Sequence, residues 1–243
     1  MEKVTAPAAA HPRTRRVGMI VPSVNAVIEP DYARLGLPAL SFHVSRVMLR
    51  ETTPEGLRAM NAGVAQAAEL IASVTPDVVA FACTSGSFID GEAALERQLQ
   101  SLEAIVGCPI VATSRCIVQS LQALGIRRVA VATPYLDAVN EAERAFLESH
   151  GFEVAGMEGM GLSGKAIREV PPGEVAALVR RADRPDAEAV FVSCTDFRAF
   201  EIAGRMEAEL GKPVLTSNQV TLWGILRALG MQIRIAGHGG LLA

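Results

Sequence analysis

The chain has no apolar run of membrane-spanning length. Its longest such runs are about five to eight residues, against the roughly 20 that a spanning helix needs. It also has no surplus of positive charge: 23 Lys and Arg stand against 26 Asp and Glu, for a net charge of −3 and a pI near 5.9. That gives no electrostatic case for nucleic acid or an anionic membrane as partner. No Cys-x-x-Cys and no His-x-x-x-His occurs, and the four His are scattered, so no metal site is expected. No charged-then-apolar leader opens the sequence. Residues 1–14 are small, polar and Pro-containing, and read as a frayed tail. Nothing marks a secreted chain, so the four Cys are expected as reduced thiols in the cytoplasm rather than as disulfides.

Half of the 243 residues are hydrophobic, with a mean hydropathy of +0.28, enough for a large core. Short β-branched runs alternate with longer segments whose apolar residues recur at three-to-four spacing. Strands are expected at Val17–Val21, Ser41–Leu49, Val78–Ala82, Ile110–Ala112, Val129–Ala132, Ala189–Ser193 and Val214–Leu215, with a weaker one at Glu153–Met157. Helices are expected at Pro54–Ser73, Gly91–Val106, Asp137–His150, Glu174–Arg181 and Arg198–Leu210. Such alternation means an α/β fold with parallel sheets covered on both faces.

The most informative feature is internal repetition. Val17-Gly-Met-Ile-Val-Pro22 resembles Val129-Ala-Val-Ala-Thr-Pro134, and Phe81-Ala-Cys83-Thr84 resembles Val192-Ser-Cys194-Thr195. Gly107-Cys-Pro109 and Leu121-Gln-Ala-Leu-Gly125 recur as Gly211-Lys-Pro213 and Leu226-Arg-Ala-Leu-Gly230. Four landmarks in one order at a nearly constant offset argue for a duplicated unit. The expected organisation is two pseudo-symmetric three-layer αβα halves, 15–127 and 128–243, with the active site in the cleft between them. Residues 218–243 are free to pack back on the first half.

Cys83 and Cys194 occupy equivalent places in the two copies, each at a strand end, followed by Thr and then by residues expected to open a helix. Ligands in open α/β sheets bind outside the carboxyl ends of strands. A helix start there offers free N–H groups and the positive end of a dipole, which suit a carboxylate and lower a thiol's pKa. A lone Cys at a strand end is usually a small buried hydrophobe; two at matched positions make a catalytic pair the better reading. Cys108 and Cys116 do not recur and read as packing.

Around the pair, Thr84, Ser85 and Gly86 can cap a helix or donate to a bound anion. Pro22 closes the first strand and Thr195 follows Cys194 as Thr84 follows Cys83. Asn25 either caps the next helix or bonds a substrate carboxylate. Tyr135, one of only two Tyr, stands at the strand-end turn of the second copy and is read as pointing into the cleft. Arg46 either neutralises a carboxylate or makes a structural ion pair; Asp196 either caps a helix or assists proton traffic.

Val17-Gly-Met-Ile-Val-Pro-Ser-Val-Asn25, Thr53-Pro-Glu-Gly-Leu57 with Met60, Thr133-Pro-Tyr135, Ser193-Cys194 and the ending Gly237-His-Gly-Gly-Leu-Leu resemble the aspartate/glutamate racemase superfamily. The closer resemblance is to its branch of maleate cis-trans isomerases, arylmalonate decarboxylases and ectoine-utilisation proteins. It implies a cofactor-independent enzyme acting on a small mono- or dicarboxylate, assembled as a homodimer or homotetramer. Carried over by motif, Cys83 is the nucleophile, Cys194 the proton-handling partner, and Asn25 and Tyr135 hold carboxylates. Thr84-Ser85-Gly86 resembles the decarboxylase turn, although those enzymes have Gly where Cys83 stands. Ala132–Asn140 and Gly161-Leu-Ser-Gly164 also lean toward the decarboxylase, and 161–168 lacks the Asn of maleate isomerases. Asp196-Phe197 stands where amino-acid racemases place His. The expected activity is a two-cysteine isomerase or racemase, maleate isomerase-like. A decarboxylase of disubstituted malonates is the alternative enzyme, and a non-catalytic carboxylate binder the alternative of another class.

Overall fold

The computed structural model describes residues 13–243; most of the expected N-terminal tail therefore lies outside the described residues. Two four-stranded parallel sheets carry the fold. The first holds β1 (Arg15–Pro22), β2 (Leu40–Val47), β3 (Val78–Phe81) and β4 (Ile110–Ala112) in the order β2-β1-β3-β4. The second holds β5 (Arg128–Thr133), β6 (Glu153–Gly159), β7 (Ala189–Val192) and β8 (Val214–Thr216) in the order β6-β5-β7-β8. The two orders are the same once the second set is renumbered, which is the duplication expressed as topology.

The inner strands β1, β3, β5 and β7 are buried along almost their whole length, as two-sided coverage demands. Successive side chains serve opposite layers. In the first sheet Val17, Met19, Val21, Val78, Ala80 and Ala82 face one apolar cluster, while Ile20, Val79 and Phe81 face the other. The first of these layers is closed by α1 (Ile28–Arg34) and by α10 (Ser217–Ala228), whose Leu222, Ile225 and Leu226 pack there with Ile235 and Leu242. The last helix of the chain thus covers the first sheet. Burying each of those Leu and Ile side chains contributes roughly 1.5–3 kcal/mol.

Two expected helices differ. The segment 54–73 is two helices, α2 (Pro54–Asn61) and α3 (Val64–Ala72), separated at Gly63. A Cβ there would sit 3.1 Å from a Val47 methyl of β2, so the position favours Gly. The segment 198–210 begins as a short 3₁₀ turn, Phe200–Ile202, and becomes regular only in α9 (Ala203–Leu210). Gly107 and Gly211, two of the repeat landmarks, end α5 (Glu92–Val106) and α9 with φ of +67° and +66°. Their recurrence in sequence is that of a left-handed helix cap that Gly adopts without steric cost. No helix among the described residues is long and apolar enough to cross a membrane.

Candidate active site

The carboxyl ends of β1, β3, β5 and β7 converge on one cleft with an empty volume of about 320 Å³. Both repeated cysteines line it, and the structure brings together with them Pro22, Thr84, Ser85, Tyr135 and Thr195. Val24, Leu49 and Ile167 supply an apolar wall on the other side, with Gly164, Thr52 and Asp196 completing it. Among the described residues, no Lys, Arg or His lines this cleft.

Cys83 caps the five-residue helix α4 (Thr84–Phe88), its sulfur accepting the Gly86 N–H at 3.3 Å. Gly86 is required here, because a Cβ would stand 2.9 Å from that sulfur and 2.5 Å from Met60 Cε. Cys194 is held differently. It has φ of +90°, one of two non-Gly residues with positive φ among those described, and its sulfur accepts the Asp196 N–H at 3.4 Å. Backbone of that kind costs of order 1–3 kcal/mol and clusters at functional sites. No α-helix opens after Cys194; the chain turns through 195–199 first.

The expectation of lowered thiol pKa values is overturned. Burial pushes Cys83 up to about 11, and donation from the Gly86 N–H and the Ser85 hydroxyl offsets only part of this. Burial also pushes Cys194 well above the ordinary thiol range, aided by the negative charge of Asp196 and opposed by the Asp196 N–H and Tyr135. The physical reason is that α4 is a single short turn and Cys194 has no α-helix behind it, so desolvation wins over helix-end electrostatics. Both thiols rest protonated. A thiolate at Cys83 would push Cys194 higher still.

Tyr135 is fully buried, and its hydroxyl has no hydrogen-bond partner. A buried hydroxyl left unpaired in a cleft wall costs about 1–3 kcal/mol, which a ligand oxygen would recover. Thr84 lines the cleft, but its hydroxyl donates to Ser217 Oγ at 2.9 Å. Thr195 likewise donates to the Ala82 carbonyl at 3.2 Å and accepts from Asn25 Nδ2 at 3.0 Å, tying the two halves together.

Asn25 does not line the cleft. Its Oδ1 accepts the N–H groups of Val27 and Ile28, at 3.0 and 3.2 Å, satisfying donors at the start of α1, and it supports the site through Thr195. Arg46 also lies outside, donating to the Asn25 carbonyl at 2.7 Å and pairing with Glu29. Asp196 accepts the Ala26 N–H at 2.8 Å, and burial raises its carboxyl to about 6. Cys116 is buried against Gly224 and Cys108 is half-buried.

The family resemblance draws attention to 161–168, but the residues give no sign that this segment covers the cleft. Ser163 accepts the Thr52 N–H at 2.7 Å and donates to Glu51, while Arg168 donates to the Val24 carbonyl at 2.5 Å. These bonds strap residues 163–168 of the second half across the first and deliver Gly164 and Ile167 to the cleft. Apolar loop residues carry no periodic signal, so composition and spacing did not show that Gly164 and Ile167 face the cleft. Glu143 was also missed, though a signal existed: it falls on the buried stripe of α7 (Asp137–Ser149) with Val139, Phe146 and Leu147.

Comparison with known proteins gives the family and the fold. The family model described as arylmalonate decarboxylase matches residues 17–242. An arylmalonate decarboxylase of Bordetella bronchiseptica is 33% identical, over 89% of this chain and 91% of its own. A maleate isomerase of Nocardia farcinica is 31% identical, over 94% and 95%. The solved structure of a cysteine-to-serine variant of the Nocardia farcinica maleate cis-trans isomerase, carrying a covalently bound succinylcysteine intermediate, has a TM-score of 0.86 at 28% identity. It covers 94% of this chain and 98% of its own. The chain belongs to the arylmalonate decarboxylase family, in the maleate isomerase and arylmalonate decarboxylase branch of the aspartate/glutamate racemase superfamily.

Proposed function

We propose that the protein is a cofactor-independent two-thiol isomerase of a small carboxylate, maleate cis-trans isomerase-like, working in the cytoplasm as a homodimer or homotetramer. The observation that carries this reading is that Cys83 and Cys194, from equivalent positions of the two halves, line one cleft with an unpartnered Tyr135 hydroxyl. Tyr135 is the neutral donor for the substrate carboxylate, while the Ser85 hydroxyl serves Cys83. Among the described residues no cation lines the cleft, so charge developing on that carboxylate in the transition state is met by oriented hydroxyl groups; loss of one such donor typically costs about 10²–10³ in rate.

The two thiols are not alike. Cys83 has Gly86 N–H and Ser85 to hold a thiolate, whereas Cys194 faces Asp196. Cys83 therefore suits the nucleophile that adds to the double bond, and Cys194 the acid that delivers and recovers a proton. As the Cys83 sulfur adds to one carbon, Cys194 gives its proton to the other and takes up the proton leaving Cys83, so that S–H adds across the double bond; the bond is then single and rotates, and the reverse transfers expel Cys83 and return the isomerised alkene. Removing Cys83 is expected to abolish isomerisation of maleate, and removing Cys194 to abolish it or stop it at the adduct. Full turnover in both Cys83→Ala and Cys194→Ala would refute the proposal.

One observation favours the decarboxylase reading. The apolar wall of Val24, Leu49 and Ile167 offers a second carboxylate no donor, and a thiol with a raised pKa is suited to protonate a carbanion. Carbon dioxide release from phenylmalonate that survives Cys83→Gly and not Cys194→Ala would select it.

A further inference from the structure

Among the described residues, Asp196 is the one acidic side chain that lines the cleft, two residues after Cys194. Its side chain is 9% exposed. Its Oδ1 accepts the Ala26 N–H of the first half at 2.8 Å, and its buried Oδ2 has no hydrogen-bond partner. The charged and titratable groups that act on it from neighbouring elements are Arg168 and Glu169 of the covering loop, Arg46 of β2 and the Cys194 thiol. None of them hydrogen-bonds to Oδ2. Arg168 Nη1 stands 3.8 Å from it and donates instead to the Val24 carbonyl at 2.5 Å, while its Nε lies 3.6 Å from Glu169. Arg46 is engaged by Glu29 and the Asn25 carbonyl. Burial outweighs both arginines and raises the Asp196 carboxyl to about 6.

A dicarboxylate in this cleft sets two negative charges beside a third, with no cation among the lining residues to offset them. Like charges confined together do not all persist, and one group takes up a proton. Asp196 is poised to be that group: at pH 7 its neutral form is only about tenfold less populated than its ionised form. We infer that Asp196 is the specificity residue for the second carboxylate of the substrate: it takes up a proton from solvent as the dianion enters and donates it from Oδ2 as a hydrogen bond. This rests on the dicarboxylate reading above. The Ala26 N–H holds Oδ1 as the carbonyl oxygen, which leaves the proton to Oδ2. Thr52, also in the wall, brings a hydroxyl that removes no charge. The proton returns to solvent when product leaves, so turnover consumes none. Affinity for the dianion is full below about pH 6 and falls about tenfold per pH unit above it.

The test is calorimetry of maleate binding to the full-length protein carrying Cys83→Ser, which the mechanism above leaves inactive, at pH 7 in two buffers of different ionisation enthalpy. The expected result is that proton uptake exceeds that of the same protein with Asp196→Asn by close to one per site; any proton that maleate itself takes is common to both. Between pH 7 and pH 8 the affinity falls about tenfold relative to the Asn variant. Asp196→Asn keeps a donor and binds maleate about 10-fold more tightly than Asp196→Ala, which is uncharged and has none. Acrylate, with a single carboxylate, gives no difference in uptake. Equal uptake in the Asp and Asn proteins, equal affinity in the Asn and Ala proteins, or a difference in uptake with acrylate overturns the inference. If Asp196→Ala fails to fold, the uptake with maleate and acrylate decides. Maleate that binds without the difference in uptake overturns this inference alone; maleate that neither binds nor protects the thiols overturns the functional reading and this inference with it.

Discussion

Replacing Glu143 by Gln has a consequence for stability that depends on pH, and its size follows from the burial of that carboxyl. In the unfolded chain Glu143 titrates near its ordinary 4.5; in the folded protein it titrates near 8. Between those values the native state holds a proton that the unfolded state has released. Stability therefore falls as pH rises from about 4.5 and levels off above about 8. At about 1.4 kcal/mol per pH unit, the loss is on the order of 5 kcal/mol across the interval. Gln does not titrate, so the variant lacks this loss. It introduces instead a buried amide N–H₂ where Oε2 now has no partner, a penalty of about 1–3 kcal/mol at every pH. Asp31 and Asp196, both raised to about 6 by burial, are present in both proteins and cancel from the comparison. The two stability curves should then cross. Urea unfolding at pH 5 should find Glu143→Gln less stable than the parent by about 1–3 kcal/mol, and at pH 9 more stable. A constant difference at the two pH values would refute the reasoning, because it would mean that Glu143 titrates alike in both states.

Gly86→Ala places a methyl against Cys83 Sγ and Met60; it should lower turnover at least 10-fold while shifting the melting temperature by only a few degrees, measured by steady-state assay and calorimetry. Cys194→Gly and Cys194→Ala should both lose activity, but Gly should be the more stable of the two by about 1 kcal/mol in urea, since it adopts the positive φ without strain. Tyr135→Phe should lower kcat about 10²–10³-fold toward the accepted carboxylate and leave a folded protein that is equally or more stable, because the hydroxyl it removes is unpartnered. Gly224→Ala, whose Cβ would meet Cys116 Sγ at 2.3 Å, should destabilise by about 1–3 kcal/mol by overpacking, with activity per folded molecule retained.

Much of this architecture was legible because the sequence states it twice. Strand composition located the eight strands to within a residue or two, since two-sided burial leaves little but Val, Ile, Ala and Phe in the inner ones. The repeat offset paired Cys83 with Cys194 before any geometry was known. What escaped the sequence was how each residue spends its hydrogen bonds. Asn25 was open between helix cap and substrate contact, Thr84 between cap and anion donor, and Thr195 was read as a substrate contact; in the fold Asn25 accepts N–H groups at the start of α1, Thr84 donates to Ser217, and Thr195 joins the halves. Those partners lie up to 170 residues away in sequence, as with Asn25 and Thr195, and no local pattern encodes them. The thiol pKa values went the other way from expectation for a related reason: the strand-end position was readable, but the depth of burial and the shortness of α4 were not.

The account turns on two sulfurs serving one ligand. The direct measurement is the rate of iodoacetamide modification at each Cys, read by peptide mass, as maleate is titrated in. Protection of Cys83 and Cys194 with the same half-saturating concentration, and none at half-buried Cys108, is the predicted result. Protection of one thiol without the other, or at clearly different concentrations, would contradict it.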